Sequence, residues 1–151
     1  MNHINFYEFI DKFMLLSDPI RTFSRESFDL VMCSKEARAH SNVVYIWRTE
    51  RYFQRLKGES NVIYIGQTKH SFSRRYANIG QYLFSKANRL KFSHIIENYG
   101  AISISVYDFK KLGETLKEAE GQLLWWYFQN HCEYPPLNYT KTNIRNDDVI
   151  V

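Results

Sequence analysis

The 151-residue chain predicts an α/β (α+β) domain in which a three-stranded antiparallel sheet is flanked by helices and preceded by a helical N-terminal extension. Three observations carry that expectation. Two runs dense in Val, Ile and Tyr, at about 43–48 and 61–66, read as paired strands. The strict alternation Ile102-Ser103-Ile104-Ser105-Val106 reads as a half-buried third strand. The stretches around them repeat their apolar residues at helical spacing.

Residues 1–42 form the extension and 43–151 the main domain. Phe6, Phe9, Ile10, Phe13 and Leu16 recur at helical intervals, and Ser17-Asp18-Pro19 should stop that helix, because proline and the residue before it disfavour continuation. Phe28, Leu30, Val31 and Met32 suit a short helix or a strand within 24–33, and helix is the assignment adopted. The connection between the first two strands, Arg48 to Ser60, is long for a hairpin. It mixes Arg51, Arg55 and Lys57 with Tyr52 and Phe53, a composition suited to nucleic-acid backbone and base contacts; a solvated connector with one anchoring aromatic is the plainer alternative. A serine-capped helix follows at about 71–84, a second at about 87–99 ending on Gly100, then the third strand and a long helix at about 114–130. Pro135-Pro136 forces extended backbone after it.

The length suits one domain with a real core rich in Phe and Tyr. A formal charge of +4 and a pI near 9.0 favour a polyanionic partner. Cys33 and Cys132 are far apart and outside any close Cys/His cluster, so neither a disulfide framework nor a structural zinc site is expected. No apolar run reaches the ~18–20 residues of a membrane span, and Met1-Asn2-His3-Ile4-Asn5 lacks a signal-peptide layout, so the expectation is a soluble cytoplasmic protein with no membrane partner.

Helical geometry separates two pairs of candidate functional residues. Glu120 shares a stripe with Leu116, Leu123, Leu124 and Tyr127, whereas Glu118 sides with Glu114 and Gln122. A carboxylate in an apolar setting is costly unless it is paired or binds a cation, so Glu120 is the candidate metal ligand, with a buried structural ion pair as the alternative. Arg75 flanks the stripe Phe72, Tyr76, Ile79 and Leu83, while Arg74 aligns with Asn78, Gln81 and Ser85. Arg75 should face the sheet, where its planar guanidinium suits a phosphate, with a surface arginine of no special role as the alternative, and Arg74 should face water, where it could touch DNA backbone.

The sequence Val43-Val44-Tyr45-Ile46-Trp47, followed at hairpin distance by Val62-Ile63-Tyr64-Ile65-Gly66, resembles the opening of a GIY-YIG nuclease domain, and the resemblance covers roughly residues 43–140. It implies a Mg2+- or Mn2+-dependent DNA endonuclease. Tyr45 and Tyr64 match the two family tyrosines, Arg75 the helical arginine, Glu120 the metal-binding glutamate and Asn138 the terminal asparagine. On this reading Glu120 anchors the metal, Arg75 binds the scissile phosphate, Tyr45 activates or orients water, and Tyr64 and Asn138 support the arrangement, the Asn138 amide binding phosphate or holding Glu120 in place, with a turn-stabilising asparagine as the plainer alternative. Gly66 would let a phosphate approach the backbone, and Lys69, Arg74, Arg51 and Arg55 are candidate nucleic-acid contacts.

The chain departs from the family in three places. Val43-Val44 stands where Gly-Ile is usual, Ile79 stands where many members carry a histidine, and the stretch from Glu120 to Asn138 is long and carries Trp125, Trp126 and Tyr127. Without that histidine, proton abstraction falls to Tyr45, to metal-bound hydroxide, or to His70 or His94 brought near by folding. Rival readings are a nuclease-like module that binds nucleic acid without cutting it, a structure-directed repair nuclease, and an interaction protein whose Phe-rich N-terminal helix recruits a partner or a twin subunit.

Overall fold

The computed structural model describes residues 5–77 and 80–138. It is a mixed α+β fold around a four-stranded antiparallel sheet. In chain order the elements are α1 (Phe6–Ile10), β1 (Met14–Leu15), α2 (Arg25–Met32), α3 (Lys35–Ala39), β2 (Val43–Gln54), β3 (Glu59–Thr68), α4 (Phe72–Ala77), α5 (Gly80–Leu83), α6 (Lys86–Tyr99), β4 (Ile102–Asp108) and α7 (Leu116–His131). The strand order is β1-β4-β2-β3. Among the described residues no helix is long and apolar enough to cross a membrane.

The three expected strands are present, and the fourth, β1, corrects the strand count. The helical spacing of Phe6 to Leu16 suggested one helix, but α1 ends at Ile10, and Met14 and Leu15 pair with Val106 and Ser105. An open sheet edge offers backbone partners that a short helix in water cannot match. Leu16 N–H and Ile20 N–H continue that pairing onto the carbonyls of Ile104 and Ile102.

The connection after Arg48 is likewise not a loop. β2 runs to Gln54 and β3 starts at Glu59, so the pair is one long hairpin closed by the Arg55 N–H to Gly58 C=O bond of 2.9 Å, with Gly58 at φ +67. The register breaks on either side of Arg48, and these irregularities hid the strand from a simple alternation test. The helix expected over 71–84 appears as α4 and α5; residues 78 and 79, Ile79 included, lie outside the described residues. α6 and α7 fall close to expectation, capped by Ser85 and Thr115.

Alternate β2 side chains serve opposite faces of the sheet. Val43, Tyr45 and Trp47 enter one core with Phe28, Phe72, Tyr76 and Phe92, while Val44 and Ile46 enter another with Phe6, Ile10, Leu123 and Tyr127. The segment before residue 43 therefore supplies core side chains on both faces: Phe6, Ile10 and Phe13 on one, Leu16, Ile20, Phe28 and Val31 on the other.

Candidate active site

The hairpin sets two phenols side by side. Tyr45 pairs with Gly66 and Trp47 with Tyr64. Because Trp47 pairs with Tyr64 while Arg48 pairs with Val62, Ile63 is the extra residue of a bulge, and both Ile63 and Tyr64 turn toward the Tyr45 face. The Tyr45 and Tyr64 ring centroids are 6.0 Å apart.

Gly66 is the floor beneath them. A Cβ there would sit 2.6 Å from Tyr45 Cζ, 2.7 Å from its Oη and 2.8 Å from Tyr64 Cε1. The space that the sequence reserved for an approaching phosphate is filled by the two rings. The glycine places phenols rather than ligand.

α4 adds the third group. Phe72 packs edge-on against Tyr45 at 5.1 Å, fixing the helix so that Arg75 and Tyr76 both come within side-chain hydrogen-bonding reach of the Tyr45 hydroxyl. Both arginines of α4 are exposed, and of the two it is Arg75 that lines the cluster while Arg74 does not. A cavity of about 160 Å³ opens beside Tyr45, Tyr64, Arg75 and Tyr76, with Lys91 and Leu137 also on its wall. Tyr76 was legible only as an apolar stripe residue; nothing in its spacing marked its hydroxyl as a neighbour of Tyr45.

Electrostatics link the fourth group. Burial pushes the Tyr64 phenol up, and the negative charge of Glu120 raises it further, while Tyr45 and Arg75 pull it down. Glu120 is half-buried near the start of α7. The competing Glu118 is spent on the helix cap: its Oε2 accepts from Glu114 N–H at 3.1 Å and its own N–H donates to Thr115 Oγ1 at 3.1 Å. Tyr45, only 2% exposed, has its phenol pushed well above the usual range by burial and by Tyr64, with Arg75 opposing. A neutral Tyr45 that donates or accepts a hydrogen bond suits this setting; a phenolate base does not.

Asn138 does not line the cavity. Its Oδ1 accepts from Ile65 N–H at 2.9 Å and its Nδ2 donates to Ile65 C=O at 2.8 Å. The side chain thus grips the backbone between Tyr64 and Gly66 and acts through their position. Arg51 donates to the carbonyls of Asn98 and Glu97 at the end of α6, and Arg55 pairs with Glu133 at 2.8 Å and donates to Tyr134 C=O at 2.7 Å. Both arginines hold the hairpin to its neighbours. Lys69 is exposed just past β3. His70 is exposed beyond β3, and His94 lies on the surface of α6 with Asn98 Nδ2 3.3 Å from its Nδ1; neither lines the cavity.

Among the described residues no group of three or more His, Cys, Asp and Glu side chains comes together. Mg2+ is commonly held by one or two carboxylates, with water and substrate phosphate completing its shell. Glu120, a half-buried carboxylate whose charge reaches Tyr64, is a donor of the kind such an ion takes. No family model, no curated protein and no solved structure matches the chain.

Proposed function

We propose that the chain is a divalent-metal-dependent DNA endonuclease similar to the GIY-YIG enzymes. The observation that supports this reading is the gathering of Tyr45, Tyr64 and Arg75 on one cavity, from two strands and a helix distant in sequence, with Glu120 of α7 near enough for its charge to bear on the Tyr64 phenol. Arg75 binds the scissile phosphate and neutralises charge on its oxygens. Tyr45, kept neutral, orients the attacking water by hydrogen bond, and Tyr64 senses both Tyr45 and the charge of Glu120. Glu120 holds Mg2+ or Mn2+, which when bound supplies Lewis-acid stabilisation and an activated water. Asn138 is a positioning residue, keeping Tyr64 and Gly66 in register.

Supercoiled plasmid incubated with Mg2+, Mn2+ or chelator tests the reading. The wild type should nick only with metal; Glu120→Gln should lose that activity, and Arg75→Ala should fall by about 100- to 1,000-fold. Full activity in Glu120→Gln rejects the assignment.

The burial of Tyr45 favours a second reading, a nuclease-like module that binds nucleic acid without cutting it. Salt-dependent DNA binding with no scission in either metal would select it.

A further inference from the structure

A large cavity lies at the end of the sheet where β2 begins and β4 ends. It is a groove of about 680 Å³ whose walls carry Lys12, His40, Lys110 and Lys111 against one acid, Asp108. Asp108 is already engaged, its Oδ1 accepting from Lys110 N–H at 3.0 Å. Lys12, Lys110 and Lys111 are exposed, and among the described residues none of the three is in an ion pair. Lys111 Nζ rests 5.3 Å from the Tyr107 ring centroid, which steadies it without neutralising it. Uncompensated cations gathered on a concave surface focus positive potential.

The groove adjoins the phenol cluster. Val43 pairs with both Thr68 and Asp108, and Tyr45 is two residues further along β2, about 7 Å at strand rise. α4, which carries Arg75, starts against the same wall: Phe72 N–H donates to His40 C=O at 3.1 Å. Lys69 lies between, its carbonyl accepting from Asn42 N–H at 3.2 Å. Each strand of a DNA duplex places a charge about every 3.4 Å along its axis, so only a few phosphates separate Arg75 from the groove.

We infer that this groove seats the phosphodiester backbone of DNA beside the bond that Arg75 addresses, with Lys12, Lys110 and Lys111 as sequence-independent phosphate contacts. The inference rests on the nucleic-acid substrate proposed above. It assigns the track to the Val43 end of the sheet rather than to the hairpin tip, where Arg51 and Arg55 are committed to internal partners.

Fluorescence anisotropy with duplex DNA, in chelator and across a sodium chloride series, tests it for the wild type, Lys12→Gln, Lys110→Gln, the double variant, and Lys57→Gln at the hairpin turn. Each groove substitution should make the plot of log affinity against log salt shallower by about 0.9, about 1.8 for the double, equally on unrelated sequences. Lys57→Gln should leave the slope unchanged. Unchanged slopes in the groove variants, a lowered slope in Lys57→Gln, or binding of inorganic tripolyphosphate but not DNA would each overturn the assignment. If the double variant fails to fold, as read by circular dichroism, the two single variants decide. Wild-type protein that binds DNA through these lysines yet never cuts it removes the endonuclease reading and leaves the groove standing. Protein that cuts DNA with slopes untouched by the groove substitutions does the reverse.

Discussion

Gly66→Ala is the sharpest perturbation the site offers. The added methyl would lie 2.6 Å from Tyr45 Cζ and 2.8 Å from Tyr64 Cε1, so something must move. Tyr45 has little room, being 2% exposed and wedged by Phe72 at 5.1 Å and by Tyr76 at 6.3 Å. Overpacking of a filled core costs about 1–3 kcal/mol, and two blocked rings place this case at the upper end. For a chain of 151 residues that corresponds to a Tm lowered by about 5–10 °C. Urea denaturation followed by circular dichroism measures the change, and the midpoint should fall with the slope kept. Tyr45→Phe in the same background should recover only part of the loss, since the ring carbon that clashes remains. A Gly66→Ala protein within about 0.5 kcal/mol of wild type would refute the view that the rings rest on this glycine.

Two further perturbations probe groups that hold the β2–β3 hairpin in place. Asn138→Ala removes both bonds to the Ile65 backbone and should cost about 1–3 kcal/mol, with faster amide exchange at Ile65; unchanged exchange there would contradict the clamp. Asn138→Asp should do no better, because a carboxylate oxygen would face the Ile65 carbonyl. On the opposite face, His131 Nδ1 must donate to Lys57 C=O at 2.8 Å, which leaves Nε2 to accept from the Tyr7 hydroxyl at 2.7 Å. Burial holds this imidazole below its ordinary range, so the unfolded chain binds the proton first and stability should decline as pH falls below about 6.5. His131→Gln should flatten that decline, and equal pH slopes in the two proteins would count against it.

Strand identity and the phenol pair were readable because β-branched density and short spacing leave few alternatives for Val43 to Ile46 and Val62 to Ile65. Glu120 and Arg75 were separable from their neighbours because helical periodicity assigns a side to each residue. β1 was not readable: its two residues follow the helical rhythm of Phe6 to Phe13, and only the open edge of β4 decides against it. The hairpin beyond Arg48 was hidden by its register breaks, and the partners of Arg51 and Arg55 lie 46 and 79 residues away. Asn138 was expected to bind phosphate or hold Glu120, and instead its amide is taken by the Ile65 backbone, a distant partner that leaves no trace in local spacing. The same limit hid Tyr76, whose stripe predicts burial and says nothing about a hydroxyl.

The grip on Ile65 also bears on self-association. β3 is a border strand, and a border strand normally displays free amides and carbonyls on which a foreign chain can build. Here Leu137 N–H occupies the Ile63 carbonyl at 2.9 Å while Asn138 occupies both polar groups of Ile65. Three backbone groups on the margin that carries Tyr64 are thereby taken, which hinders a foreign strand from pairing at Ile63 to Ile65.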